Sequence, residues 1–292
     1  MKHIFIVNKI SGKGQNMALM GYLKDVLLAL GVDHEIRLTQ YPRHAKAIAK
    51  EYADIEDVVL YSMGGDGTLY EVINGMDLRQ PLGVIPTGSG NDFYRIFDNK
   101  EVYDIKEILD RTIKADTRSI DLGSFDDTRF INTLSIGIDA KINEDASYLI
   151  RKSLITKGPA YIGAIAKNVI IPKATKLKIE IDGELYEDEE FICAIMNGEY
   201  YGNGKHSAPQ AKIDDGYLDV TLAPKCPFYK VYPKLIKYLD GKHLDDPFFQ
   251  ILKAKEIRIK SPEPFVYQAD GENYHGDSLD IKILEKSLKL KI

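Results

Sequence analysis

Cysteine is nearly missing from this chain: Cys193 and Cys226 are the two among 292 residues. They show neither CxxC spacing nor a dense framework. That excludes a cysteine-built zinc site, fits a reducing compartment and leaves both expected as buried side chains. Long hydrophobic runs are missing too. No stretch approaches the roughly 20 apolar residues needed to cross a bilayer, so no transmembrane segment is expected and any membrane contact is peripheral. The apolar start Ile4-Phe5-Ile6-Val7 is closed by Asn8, Lys9 and Gly12 too early for a signal peptide, which points to a first strand and a cytoplasmic location. Positive charge is not in excess: a formal net charge of -5 gives no general reason to expect nucleic acid as a partner. The histidines show no metal-ligand spacing, leaving His206 and His275 at most as cleft-lining groups. Low-complexity tracts and internal repeats are absent, so the whole chain is expected to fold.

What is present is length enough for two cores, since 292 residues exceed the size at which a single core stops growing. His3 to Val7 reads as a buried parallel strand feeding a glycine-bearing loop. Met17, Met20, Leu23, Leu27 and Leu30 then recur at helical spacing, with Gly31 where a left-handed C-cap belongs. The alternation continues with a strand at Glu35 to Leu38, a helix at Ala45 to Tyr52, a strand at Val58 to Tyr61, a helix after Gly67 and a strand at Leu82 to Ile85. Such alternation predicts a doubly wound α/β domain with ligands in the loops beyond the carboxyl ends of its strands.

After Asp121 the texture becomes mainly β. Arg129 to Ile138, Lys176 to Ile181, Phe191 to Met196, Tyr217 to Leu222 and Glu256 to Ile259 read as strands. Helices are expected at Glu144 to Ile155, Pro159 to Ile170 and Phe228 to Leu239. The expected boundary lies near Gly123, giving domains 1–122 and 123–282, and residues 283–292 close the second or return to the first. The stripe Phe228, Val231, Tyr232, Leu235, Tyr238, Leu239 reads as core with at most one exposed edge for a bilayer. Asp188-Glu189-Glu190 reads as a solvated turn.

Gly64-Gly65-Asp66-Gly67-Thr68 follows a buried strand and opens a helix. Glycines let the backbone turn tightly beside a charged ligand, and amides at a helix start favour phosphate. A carboxylate facing phosphates would repel them unless it holds Mg²⁺ or its water, so Asp66 makes this a metal-nucleotide loop; the plainer reading is a helix cap. One strand later, Pro86-Thr87-Gly88-Ser89-Gly90-Asn91-Asp92-Phe93 is a second glycine-rich loop expected to lead into a helix. Two such loops can grip one triphosphate from two sides. Ser89 can donate to phosphate or ribose, while Asn91 and Asp92 can cap the helix or orient the first loop. Asn8-Lys9-Ile10-Ser11-Gly12-Lys13-Gly14 adds a third phosphate-facing candidate, although GxxxxGK[ST] is absent. Lys13 is either a cation for the leaving phosphates or a solvated lysine.

At this point the chain resembles the diacylglycerol kinase catalytic family, in particular its soluble bacterial lipid kinases, relatives of sphingosine and ceramide kinases. The resemblance rests on ordered blocks: GGDGT at Gly64 to Thr68, GSGNDFYR at Gly88 to Arg95, SIGIDA at Ser135 to Ala140, Asn197 to Val220, and Asp270-Gly271-Glu272. It implies a nucleotide-binding α/β domain like that of NAD kinase, followed by a β-sandwich-like domain, with the active site between them. It also implies ATP contacts from Asn8, Lys9, Ile10, Ser11 and Gly12, from Thr39, from Gly65, Asp66, Gly67, Thr68, Leu69, Tyr70 and Glu71, and from Ser89. Glu272 matches the family's proton acceptor, with Asp270 its close partner and Asp66 linking metal to nucleotide. Asp215, with backbone oxygens of Lys212 and Tyr217, matches a structural Mg²⁺ site, and Asp121 lies where a hinge carboxylate joins that network. The chain departs from the pattern at Tyr70, where Asn commonly stands, and at Ser89, where Thr is usual.

The chemistry is consistent with this. An alcohol is a poor nucleophile, so a base that takes its proton contributes ~10²–10⁴-fold. Asp270 and Glu272, two residues apart, are expected to point to one side of an extended segment, unless Asp270-Gly271 is an ordinary turn. The implied reaction is phosphoryl transfer from Mg·ATP to a lipid hydroxyl at a membrane surface, with diacylglycerol leading and phosphatidylglycerol, a sphingoid base or a polyprenol as alternatives. A soluble acceptor, as in NAD kinases, and a catalytically silent regulatory protein are the rival readings. Oligomeric state, homodimer included, stays open.

Overall fold

The computed structural model describes residues 1–100, 103–152, 157–170 and 172–292. Its first layer is a parallel sheet. β1 (Lys2–Val7) lies between β2 (His34–Leu38) and β3 (Val58–Gly64), and β3 pairs onward with β4 (Leu82–Pro86). The apolar runs of β3 and β4 are buried throughout because helices cover this sheet: α1 (Gln15–Leu30), α2 (His44–Glu51), α3 (Asp66–Ile73) and α4 (Ile105–Lys114). Gly31 ends α1 in the left-handed conformation, its N–H turned back to Leu27 and Leu28, as the sequence predicts. Of the stripe on α1, Leu23 and Leu27 reach the core, whereas Met17 is exposed.

The remainder is mainly strands: β5 (Thr117–Phe125), β6 (Thr128–Phe130), β7 (Thr133–Gly137), β8 (Thr175–Ile181), β9 (Glu184–Met196), β10 (Leu218–Pro224), β11 (Gln250–Ala254), β12 (Glu256–Ala269) and β13 (Glu272–Lys291). Among them lie α5 (Ile138–Arg151), α6 (Lys157–Ile170) and α7 (Phe228–Leu239). The single strand expected over Arg129 to Ile138 is two strands, broken at Ile131 and Asn132, and Ile138 already begins α5. Ile155, the expected end of that helix, lies outside the described residues.

One expectation fails for an instructive reason. Asp188-Glu189-Glu190 is not a turn. It is the middle of β9, whose register with β8 runs unbroken from Ile181↔Glu184 to Thr175↔Glu190, and Glu190 is buried. The stripe on α7 is divided: Val231, Leu235 and Tyr238 are core, while Phe228 and Tyr232 are more than half exposed. Of the cysteines, Cys193 is buried and Cys226 only partly so.

β13 ties the halves together. It pairs antiparallel with β12 and β5, and at Leu290 and Lys291 it runs parallel to Leu82 and Gly83 of β4. A bulge between Leu284 and Leu288 bends it on the way. The strand that starts at Glu272 therefore ends inside the first sheet.

Candidate active site

Three loops meet at the carboxyl ends of the parallel strands. Gly64 closes β3, and Thr87 beyond β4 donates its N–H to the Gly64 carbonyl (2.9 Å). A Cβ on Gly88 would stand 2.3 Å from the Gly65 Cα. The two loops thus touch backbone to backbone, a contact only glycine permits. Asn91, at φ 54, ties the second loop to itself: its Oδ1 accepts from the Gly88 N–H (3.0 Å) and its Nδ2 donates to the Gly88 carbonyl (3.0 Å). The opening loop joins them. Asn8 Nδ2 donates to Thr68 Oγ1 (3.0 Å), and Ser11 Oγ donates to the Thr87 carbonyl (3.1 Å). Asn16, buried at the start of α1, holds the Asn8 carbonyl from behind (2.6 Å).

Of the expected nucleotide contacts, Asn8, Ser11, Gly12, Thr39, Gly65, Asp66, Thr68 and Ser89 come to this one end of the sheet, with Lys9, Ile10, Gly67 and Ser89 exposed. The side chain of Lys13 lies outside the described residues. Three others turn elsewhere. Leu69 packs in the first core, Tyr70 packs in the second, and Glu71 accepts the Arg43 and Ala45 N–H groups (3.0 and 2.9 Å) at the start of α2. The second glycine loop is followed by a short 3-10 turn at Tyr94–Ile96 rather than the expected helix, so Asp92 is not a helix cap.

Asp92 instead bridges to the β-rich half, accepting the Asn203 and Gly204 N–H groups (2.9 and 2.5 Å). Asp66 lies beside it. A Cβ on Gly90 would be 3.1 Å from Asp66 Oδ2 and 3.9 Å from Asp92 Oδ2, which bounds their separation at the total of those two distances. Asp66 Oδ1 accepts the Phe93 N–H (3.2 Å). Burial first, and then the charge of Asp66, pushes the Asp92 carboxyl up to about 6; burial also raises Asp66.

Asp270 arrives from the other half. It is not on an extended segment. Ala269 pairs with Glu272, so Asp270-Gly271 is a hairpin turn, with φ 45 and 89, the left-handed pair that Asp-Gly favours. The Asp270 carboxylate folds inward to accept three amides, from Ile131 (2.7 Å), Asn132 (3.0 Å) and Thr133 (2.9 Å). Even so, burial, with Asp66 adding to it, pushes Asp270 up to about 7. Glu272 opens β13, and its carboxylate is exposed and makes no hydrogen bond among the described residues.

Sequence reasoning missed two further supports. Asn143 of α5 donates to the Gly271 carbonyl and to Asn273 Oδ1 (both 2.8 Å), and receives the Tyr161 hydroxyl (2.7 Å), so α5 and α6 brace the turn. The amides of Asn203 and Gly204 receive Asp92. Gly202 and Gly204 at positive φ mark a tight turn, which was the available signal.

The expected second metal group behaves differently. Asp121 is fully buried and satisfied by the N–H groups of Gly216 (2.7 Å) and Lys286 (2.6 Å). Asp215 Oδ1 accepts the Tyr217 N–H (3.1 Å), and Oδ2 takes the Lys253 ammonium (2.5 Å). Lys253 and Lys255 both lie over the Tyr217 ring, and Lys212 is exposed. The Asp215 carboxylate is thus paired with a lysine, which a cation bound there with the backbone oxygens of Lys212 and Tyr217 would have to displace. Among the described residues no group of three His, Cys, Asp or Glu is arranged to hold a metal. That does not count against Asp66, because Mg²⁺ on a nucleotide is usually held by one or two carboxylates together with phosphates and water, not by an all-protein cage.

Glycine loops at the switch of a parallel sheet, facing a carboxylate-bearing turn from a β-rich lobe, define a two-lobed phosphotransferase. The diacylglycerol kinase catalytic domain model matches residues 2–125, and the YegS C-terminal NAD kinase beta sandwich-like domain model matches residues 132–291. The chain belongs to this diacylglycerol-kinase-like lipid kinase family. It is 30% identical over 275 residues to a diacylglycerol kinase of Staphylococcus aureus, covering 91% of this chain and 84% of that protein. It is 28% identical over 247 residues to a diacylglycerol kinase of Bacillus subtilis, covering 83% and 80%. A solved diacylglycerol kinase structure from Bacillus anthracis superposes with a TM-score of 0.74 at 25% identity, covering 99% of this chain and 96% of that one.

Proposed function

We propose that the protein transfers the γ-phosphoryl group of Mg·ATP to a lipid hydroxyl, with diacylglycerol as acceptor and phosphatidic acid as product. The observation that carries this reading is the gathering of Asp66 and Asp92, from the nucleotide lobe, with Asp270, from the other lobe: burial first, and the charge of Asp66 in addition, raises both Asp92 and Asp270. Carboxylates raised by burial beside another acid are a poor scaffold and a good receptacle for a cation-bound polyphosphate.

The glycine loops at Gly64–Thr68 and Thr87–Asn91 present backbone amides to the phosphates, with Asn8 and Thr68 tied beneath them. Asp66 would hold Mg²⁺, whose chemistry there is to neutralise charge on the phosphates. Glu272, exposed at the head of β13, accepts the proton of the attacking hydroxyl at its carboxylate. Asp270 keeps the turn seated through its amides. Little covalent chemistry is asked of the protein; holding donor and acceptor in line supplies most of the acceleration. Among the described residues no helix is long and apolar enough to cross a membrane. Lipid would be met peripherally, and exposed Phe228, Tyr229 and Tyr232 beside Lys230 on α7 suit an interfacial contact.

The test is γ-labelled ATP offered with diacylglycerol, phosphatidylglycerol, a sphingoid base and a polyprenol in mixed micelles, with NAD and sugar phosphates alongside. Label in diacylglycerol is the expected result. Label in another lipid alone would replace the acceptor, and label only in a soluble acceptor would overturn the lipid reading.

A further inference from the structure

Tyr70 does not share the environment of its own helix. Leu69, Val72 and Ile73 of α3 pack in the core of the nucleotide lobe, while the Tyr70 ring is buried in the core of the β-rich lobe with Phe125, Phe130 and Leu134. Residues three and four apart share a helix face, so the turn that anchors α3 by one face sends Tyr70 across the cleft from another. Its hydroxyl is hydrogen-bonded to that of Tyr274. Tyr274 is two residues beyond Glu272 on β13, so the two side chains leave the strand on the same face. The Tyr274 ring has little freedom, being stacked on Tyr267 (5.4 Å between centroids) and edge-on to Phe125 (5.3 Å). Burial, and then their neighbours Asp270 and Glu272 among other causes, holds both phenols above their ordinary range. Each therefore stays protonated and able to keep the bond.

We propose that the Tyr70–Tyr274 hydroxyl pair is a pin between the lobes that sets the distance from the Gly64–Thr68 loop to the Glu272 carboxylate. Both tyrosines are positioning residues that act through Glu272 without touching reactants. The effect on turnover rests on the reading of Glu272 as the base; the pin itself does not. A displacement of the order of 1 Å at a reacting group costs up to ~10²-fold, so loss of one hydrogen bond in a packed pair is expected to cost about tenfold.

The experiment is a double-mutant cycle with Tyr70→Phe and Tyr274→Phe, which keep the rings, in the full chain. Each single variant is expected to lower kcat about tenfold and leave the KM for ATP within about twofold. The double variant should be no worse than either single, because one interaction is lost in all three. Turnover within about twofold of wild type, or independent losses that multiply, overturns the pin. A second readout does not need activity: hydrogen exchange of the amides at 272–276, expected to quicken in both single variants. If wild type labels no acceptor, the kinase reading fails and this exchange decides the pin alone, unchanged protection overturning it.

Discussion

Asp66, Asp92 and Asp270 are acids from distant parts of the chain, the charge of Asp66 acting on the other two; Asp121 and Asp215 are also acids drawn together from afar, yet each has been given partners. In the first group the backbone amides that reach the carboxylates do not offset burial, so the carboxyls are raised, Asp92 to about 6 and Asp270 to about 7. In the second, Gly216 and Lys286 saturate Asp121, and Lys253 neutralises Asp215. The same residue type is thus electrostatically incomplete in one place and complete in another. Under the proposed function, the incomplete acids that converge are the ones that would meet a cation-bearing ligand, and the complete ones would serve structure.

The largest effect that can break this comparison is at Asp66. Asp66→Asn keeps the shape and removes the charge, so kcat for phosphoryl transfer should fall by ~10²–10³-fold, while the ligand-free protein melts at the same temperature or higher because Asp92 and Asp270 lose a repelling neighbour. Steady-state kinetics and a thermal melt on one preparation check both. A variant with wild-type turnover, or one that loses turnover only by unfolding, would erase the distinction.

The converse substitution should fail in the converse way. In Asp121→Asn the side-chain amide has to face a backbone N–H that previously met a carboxylate oxygen, leaving two donors in opposition in a buried site. Stability measured by urea unfolding should drop by ~2 kcal/mol, with turnover per folded molecule falling far less than in Asp66→Asn. Unchanged stability with lost turnover would move Asp121 into the first group.

Much of the geometry of the first group was legible in sequence, because the glycine loops and Asp66 stand in a local pattern: Gly65 and Gly88 are needed for a backbone contact no other residue allows. What stayed hidden depends on where the chain returns. Asp92 reads locally as a cap and becomes a bridge only when the turn at Asn203 and Gly204 comes alongside. Asp270 and Glu272 were expected on one side of an extended segment, but their geometry is the Asp-Gly hairpin, since pairing of β12 with β13 runs up to Ala269 and Glu272. Lys253 lies far along the chain from Asp215, so nothing local announced that an ammonium would pair with its carboxylate.

Glu190 supplies the control, and the smallest effect. Its acidic run reads as solvated, yet pairing with β8 carries it inward, where Oε2 has no hydrogen-bond partner among the described residues. Burial, and then Asp188, pushes it up to about 7, in a recess lined by Tyr186, Leu222, Pro224 and Phe248 that lies apart from the glycine loops. A raised carboxyl contributes instability that is absent when both states are protonated, grows as pH rises from the unfolded value near 4.5 through about 7, and is complete above that. Glu190→Gln should therefore stabilise the protein by ~1–2 kcal/mol at pH 8, a gain that shrinks toward pH 4, and leave transfer kinetics alone. If turnover instead falls with Glu190→Gln while the melt improves, a raised carboxyl by itself would mark function here, and the contrast between the converging acids and the solitary one would have to be redrawn.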